Sequence, residues 1–313
     1  MLRQILYRLL ISIPALFGVI LFGFALLMLV PSDPAAMFVG EHATPENLAA
    51  ARLALGLDRP LWEQFGNYLF RLLHGDLGRS LLNGTSVSVE LAAAFGPTVE
   101  LVFGALIWSV PTGIALGTVA AIKRGKIVDR CIVGVSVLGV STPVFLTGLL
   151  LIKYVAEAGN MFPVQGRGCP VWTIEGLTYL VLPALTLGSV LVGPIARITR
   201  TSMLEILSSD FVRTARAKGV SETRVIVFHA LRLALIPIVT LIGLQAGHLL
   251  GGAVVVEEIF AWPGLGRLAR IAITSRDQPM AQGAILVLAF SFVLVNLIVD
   301  VLCSHLDPRV RPS

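Results

Sequence analysis

Few residues in this sequence have the type and spacing that bond chemistry needs. Cys131, Cys169 and Cys303 lie far apart with no C-x-x-C spacing, which points to free thiols rather than a metal site or a disulfide framework. No G-x-x-x-x-G-K-S/T phosphate loop, H-E-x-x-H or G-x-S-x-G pattern occurs. The chain therefore reads as no enzyme, with no catalytic residues and no metal or cofactor of its own, and the energy for any driven process must come from elsewhere. Gln245 and His248, three apart in an apolar run, share a helical face where they could line a channel and meet a solute. The plainer role for a membrane histidine is a hydrogen bond to a neighbouring helix, and the same holds for Asn296 and Asp300.

The polar segment with the clearest pattern is Arg200 to Arg232. Ser208, Ser209 and Asp210 offer N-caps, good helix formers stand at Ala215 and Ala217, and Lys218 precedes Gly219, the favoured residue just beyond a helix end. A stub of about two turns is marginal alone in water, so it is expected to dock into something. Ser221 then starts a second helical stretch with Glu222 in its first turn, leading through Val225, Val227 and Phe228. An ordinary solvated connector is the alternative.

The elements that must hold this segment are apolar. Of 313 residues 56% are hydrophobic and 14% charged, too few charges for the skin of a soluble domain of this size. Six apolar runs, about Leu9–Val30, Leu101–Ile122, Cys131–Ile152, Leu177–Ile198, Leu233–Val256 and Ala281–Leu302, are each long enough to cross a hydrocarbon core as a helix. The first follows Arg3 and Arg8 as a signal peptide would, but it exceeds an h-region and lacks a small-x-small site after Val30, so a retained helix is expected.

Eleven Lys and Arg, counting Arg197 at the end of the fourth run, fall at or in the loops after the second and fourth runs, against five in the loops after the third and fifth. Cytoplasmic loops hold such an excess, which places both termini in the cytoplasm. The net charge of +5 is thus a topology signal, and no nucleic-acid partner is implied.

The expected organisation is an N-terminal span at 1–30, an external cap at 31–98 and a five-helix core at 99–303 with the loop 200–232. A tail covers 304–313. Within the cap, Pro45–Leu57 and Leu61–Leu73 read as amphipathic helices ended by Gly56 and Gly75. Pro14, Pro111, Pro143, Pro183 and Pro194 sit within or near spans, where a packed bundle can re-satisfy the freed carbonyls. Gly243, Gly247 and Gly251, spaced by four, mark a face for close helix packing, within this chain or with another.

The run Asp210-Phe211-Val212-Arg213-Thr214-Ala215-Arg216-Ala217-Lys218-Gly219-Val220-Ser221-Glu222 resembles the coupling loop of the dipeptide, oligopeptide and nickel permeases of type I ABC importers. Arg213-Thr214-Ala215 stands where the wider superfamily has E-A-A, and Gly219 is kept. Leu55 to Leu61, Gly75 to Ser80, Val255 to Arg267, Asn296 to Asp300 and Leu306 to Arg309 are similar too, so the resemblance spans nearly the whole chain. One departure is Ser32, where the family more often has glycine before Asp-Pro.

The resemblance implies an all-α permease of six transmembrane helices in the bacterial inner membrane. It also implies a second similar permease subunit, two ATPase subunits holding ATP and Mg, and a periplasmic or lipid-anchored solute-binding protein. Cargo would be a di- or oligopeptide, with nickel, metal chelates and glutathione as alternatives. Phe260, Trp262 and Leu265 around Pro263 could close the external mouth, Trp262 as an interfacial anchor being the other reading. An ion-coupled transporter would call for matching halves or a midplane carboxylate, and neither is evident.

Overall fold

In hydrocarbon every backbone N–H and C=O must be satisfied within the chain, and helices are the form this composition supports. The computed structural model describes residues 2–29, 34–39 and 44–306. Pro31-Ser32-Asp33 and Asp307-Pro308-Arg309 lie outside them, as do the side chains of Asp300 and Cys303. The described residues are helical apart from one isolated bridge between Arg79 and Ser86 and connecting loops.

The helices are α1 (Leu2–Leu29), α2 (Pro34–Val39), α3 (Pro45–Leu55), α4 (Leu61–Leu73), α5 (Val87–Ile122), α6 (Ile127–Ser141), α7 (Val144–Leu151), α8 (Ile174–Leu207), α9 (Asp210–Ala217), α10 (Glu222–Arg224), α11 (Arg232–Ile259), α12 (Leu265–Thr274) and α13 (Gln278–Leu306). Both helices expected between the first two apolar runs form, the first ending at Leu55, two residues short of the expected Leu57. Thr44 caps α3 by accepting the Asn47 N–H, and Gly56 ends it at φ 67°.

Four helices or helix pairs among the described residues are long and apolar enough to cross a membrane: Val87–Ile122, Ile174–Leu207, Glu222–Gln245 and Gln278–Val299. The third apolar run is not one straight helix. It breaks between α6 and α7 with a bend of 102°. Pro143 has no N–H to continue the ladder, and its ring forces Thr142 into extended backbone at ψ 122°. Counted as one span, this pair makes a fifth, while the apolar stretch Leu10–Ala25 of α1 is shorter.

The chain divides into two units, Met1–Thr98 with Pro263–Val293 and Val99–Trp262 with Leu294–Ser313. Residues up to Thr98 group with the later segment Pro263–Val293. The reason is an apolar stripe on the first turns of α5, Val87, Leu91 and Ala94, which packs on Leu265, Ala269, Ala272, Met280 and Ala281. Thr98 Oγ1 also accepts the Leu265 N–H at 2.8 Å. In the same unit, Phe24 of α1 meets Phe65 and Tyr68 of α4 at ring distances of 5.2 and 6.1 Å.

The second unit is built around α8. A Cβ on Gly113 of α5 would stand 2.7 Å from Ile195, and one on Gly117 would stand 2.4 Å from the Ala196 carbonyl, so only glycine permits this approach of α5 to α8. Gly188 of α8 lies under the Trp108 ring, whose Nε1–H donates to the Ala184 carbonyl at 2.8 Å. Gly193 lets the Ser136 carbonyl of α6 come equally near. Gly117→Ala is expected to cost about 1–3 kcal/mol through overpacking. Gly134→Ala, on α6 with open space around the added methyl, should cost nothing, and thermal unfolding of the detergent-purified protein reads both.

Candidate functional site

The segment between α8 and α11 is where polar side chains are held out from an apolar body. α9 runs over Asp210–Ala217 with Ser209 at its N-cap, in extended backbone. Neither serine caps it through its side chain as expected. Ser208 Oγ and Ser209 Oγ donate to the Glu205 and Ile206 carbonyls, at 2.8 and 2.7 Å, and so close the end of α8. The other end follows expectation. Gly219 adopts φ 79°, its N–H donates to Arg216 O at 2.9 Å, and Val220 N–H reaches back to Ala215 O at 3.2 Å.

Val212 is the one fully buried side chain of α9 and anchors it to the body. Around it Asp210, Arg213, Thr214, Arg216, Ala217 and Lys218 are exposed, and Ala215 is half-buried. Arg216 and Glu222 close the turn as a two-pronged ion pair, Nε to Oε1 at 2.6 Å and Nη2 to Oε2 at 3.3 Å. Ser221 starts α10, again without a side-chain cap. The chain then widens into a π-helical stretch, Val225–Leu231, in which Val225 and Ala230, five apart, are both fully buried. Phe211 sets its ring edge-on to His229 at 5.7 Å.

Two buried or half-buried ion pairs that sequence reasoning missed brace the unit carrying this segment. Asp129 at the head of α6 takes Arg200 of α8 in a fork, at 2.6 and 2.9 Å, and also accepts the Gly125 N–H at 2.9 Å. Glu100 of α5 takes Arg167 of the 158–173 loop in the same way, at 2.8 and 2.6 Å. The available signal was a lone carboxylate at the edge of each apolar run, which near lipid requires a partner. That partner was not identifiable at separations of 71 and 67 residues.

The remaining candidates are distributed differently. Phe260 and Trp262 are fully buried in the core of the second unit, whereas Leu265 is buried in that of the first and Pro263 is exposed. Trp262 is thus shielded by its own chain, which is not how an interfacial anchor stands. Its turn holds Ala261 at φ 49° and is strapped by the Gly166 N–H on the Phe260 carbonyl at 2.8 Å. Gln245 is half-buried and His248 exposed. Of the glycine face on α11, Gly243 abuts Val299 of α13 so closely that a Cβ would overlap it, Gly247 is buried, and Gly251 faces open space. One end of the face therefore packs within this chain.

No group of three or more metal-ligating side chains occurs among the described residues. What the geometry presents is a short rigid stub on a helical membrane body. Residues 113–312 match the family Binding-protein-dependent transport system inner membrane component, and residues 1–117 match its N-terminal region. The chain belongs to this family. It is a non-catalytic permease subunit, multi-pass in the inner membrane.

Among its relatives are the dipeptide transport system permease protein DppB of Escherichia coli K12, 41% identical, and the glutathione transport system permease protein GsiC of Escherichia coli O6:H1, 42% identical. Each comparison covers 99% of both chains. The methionine ABC transporter MetNI, in an inward-facing conformation, matches in fold with a TM-score of 0.55 at 16% identity, over 69% of this chain and 96% of that one.

Asp129→Asn is expected to lower the unfolding temperature of the purified permease well below that of Asp210→Asn. The first strands the Arg200 guanidinium beside a neutral group, while the second removes only an exposed pair with Arg213 at 3.4 Å.

Proposed function

We propose that this permease subunit forms part of a translocation path for short peptides, and that α9 transmits the motion of partner ATPases to it. The observation that carries this reading is α9 itself, anchored by Val212, closed by Gly219 and clamped by Arg216 and Glu222, with most of its surface unpacked. A stub held this way can pass on a push without melting, because its far end is tied to the π-helical entry of α11. The residues assigned to ATPase coupling are Asp210, Arg213, Thr214, Ala215, Arg216, Ala217, Lys218, Gly219, Ser221 and Glu222. ATP and Mg belong to those partner subunits, of which the assembly would hold two, together with a second homologous permease and a solute-binding protein.

Peptide cargo rests on the full-length relationship to a dipeptide permease, and glutathione, itself a short peptide, is the second reading because the glutathione permease is as similar. Gln245 and His248 are the proposed channel-lining pair, and Gly251 the part of the α11 face left for the second permease. The turn at 260–265 is the proposed external closure, with Phe260 and Trp262 as its buried footing.

ATP hydrolysis by the co-purified complex in lipid tests the coupling role. Binding protein loaded with dipeptides is expected to stimulate wild type several-fold, Gly219→Pro to abolish the stimulation, and Pro263→Ala to raise hydrolysis without binding protein. Equal stimulation of wild type and Gly219→Pro would remove α9 from the coupling path, and stimulation by glutathione alone would change the cargo.

The proposed topology is six spans with both termini inside, counting α1 and the bent α6–α7 pair as crossing. It places Cys131 on the cytoplasmic side and Cys169 outside. A membrane-impermeant maleimide applied to cells should label Cys169 and spare Cys131, and sparing of both would make the bent pair re-entrant, since its two ends would then lie on the same side. Glu175 beside Cys169, 3.4 Å from Sγ, pushes the thiol above its ordinary pKa through its hydrogen bond and its charge. Less thiolate is present near neutral pH, so labelling should be slow, and Glu175→Gln should speed it.

A further inference from the structure

The first unit holds a cavity of about 530 Å³ that the transport reading above does not use. Its walls come from the end of α3, one face of α4, the loop after α4 and the first turns of α13. Arg59, Arg71 and Arg79 line it, and Asp76 is the one carboxylate in the lining. Asp76 Oδ1 already accepts the Gly78 N–H at 2.9 Å. The three guanidiniums are exposed and enter no ion pair among the described residues. Three cations against one anion leave the recess with a charge of about +2, favourable to an anion.

The recess is a built one. Gln64 Nε2 donates to the Arg59 carbonyl at 2.8 Å and to the Leu57 carbonyl at 3.3 Å, which fixes the loop bearing Arg59. On the opposite wall, Ser80 donates through Oγ to the buried Asp277, and the Leu81 N–H reaches the same carboxylate at 3.2 Å. Those bonds tie the Arg79 loop to the head of α13 and leave the Arg79 guanidinium outside any ion pair among the described residues. Asn67, Tyr68 and Gln282 add polar atoms, and burial pushes the Tyr68 phenol above its ordinary pKa, so that it stays a neutral donor. Phe24, Leu53, Leu57 and Pro279 supply an apolar side. The volume lies in the range of small-molecule sites, where a few polar groups orient a ligand against an apolar wall.

We propose that this cavity binds a small organic carboxylate, its acid group held by Arg59, Arg71 and Arg79 and its apolar part against Phe24 and Leu57. A guanidinium fork suits a planar carboxylate better than a point charge would. Short peptides with a free C-terminus have both features, so the cavity is an accessory solute site in the cap, apart from the channel and from the binding protein. The choice of peptides rests on the proposed function. The carboxylate chemistry does not.

The test is calorimetric titration of the complete complex in nanodiscs of neutral lipid, without binding protein, using leucyl-leucine and its C-terminal amide. The acid is expected to bind at least tenfold more tightly than the amide, and Arg71→Gln with Arg79→Gln to lose at least tenfold in affinity for the acid. Arg59→Gln, from a different wall, should weaken binding independently. Equal binding of acid and amide, or wild-type affinity in the double variant, would overturn the proposal. Loss of peptide binding once phosphatidylglycerol is added would assign the arginines to a lipid phosphate and overturn it as well. Gly219→Pro must leave this binding intact, so a failure of the coupling reading and a failure of the cavity reading are separately visible.

Discussion

Helices surrounded by hydrocarbon gain nothing from burying apolar side chains against one another, so close fit and satisfied polar groups must hold them together. In this permease that constraint falls on α8. It contributes Leu182, Leu187, Leu191, Ile195 and Met203 to the fully buried core, and its neighbours reach it through glycines that admit no added carbon. Where fit alone does not fix a position, a fork of two charged hydrogen bonds does. Asp129 with Arg200 ties α6 to α8, and Glu100 with Arg167 ties a loop to α5. Burying such charges carries a desolvation cost that their pairing offsets, so they act chiefly as registry devices whose breakage is more harmful than their presence is stabilising.

The polar segment after α8 depends on that rigidity. α9 has eight residues and one buried anchor, too little to hold a helix by itself. It is held because α8 ends firmly on Ser208 and Ser209, and because Arg216 and Glu222 join its two arms. An exposed pair of this kind adds little to stability. Its geometric effect is larger, since it fixes the angle at which the chain turns at Gly219.

The bend at Thr142-Pro143 shows a different balance. Hydrophobicity treats Cys131–Ile152 as one run, since apolar residues continue on both sides of the proline. Backbone sterics divide it, and the missing N–H leaves no ladder to hold the halves in line. Pro183 and Pro194, by contrast, lie within a continuous α8. The difference is surroundings, because α8 is packed along much of its length whereas α6 exposes Val135, Val137, Leu138 and Val140.

By its residue order alone this protein determined four of its long apolar helices, the two short helices Pro45–Leu55 and Leu61–Leu73, the αL turn at Gly219 and the membership of its family, because all of these are local or follow from motif identity. Charge bias and repeat spacing are properties of neighbours along the chain. Only the tertiary structure decided that Ser208 and Ser209 close α8 instead of opening α9, that Gly243 packs on Val299 while Gly251 stays open, and that Trp262 is buried. It also chose the partners of Glu100 and Asp129 and drew Pro263–Val293 into one unit with the residues before 99. Each of these joins residues far apart in sequence, and a carboxylate's need for a cation names no cation until the helices have packed.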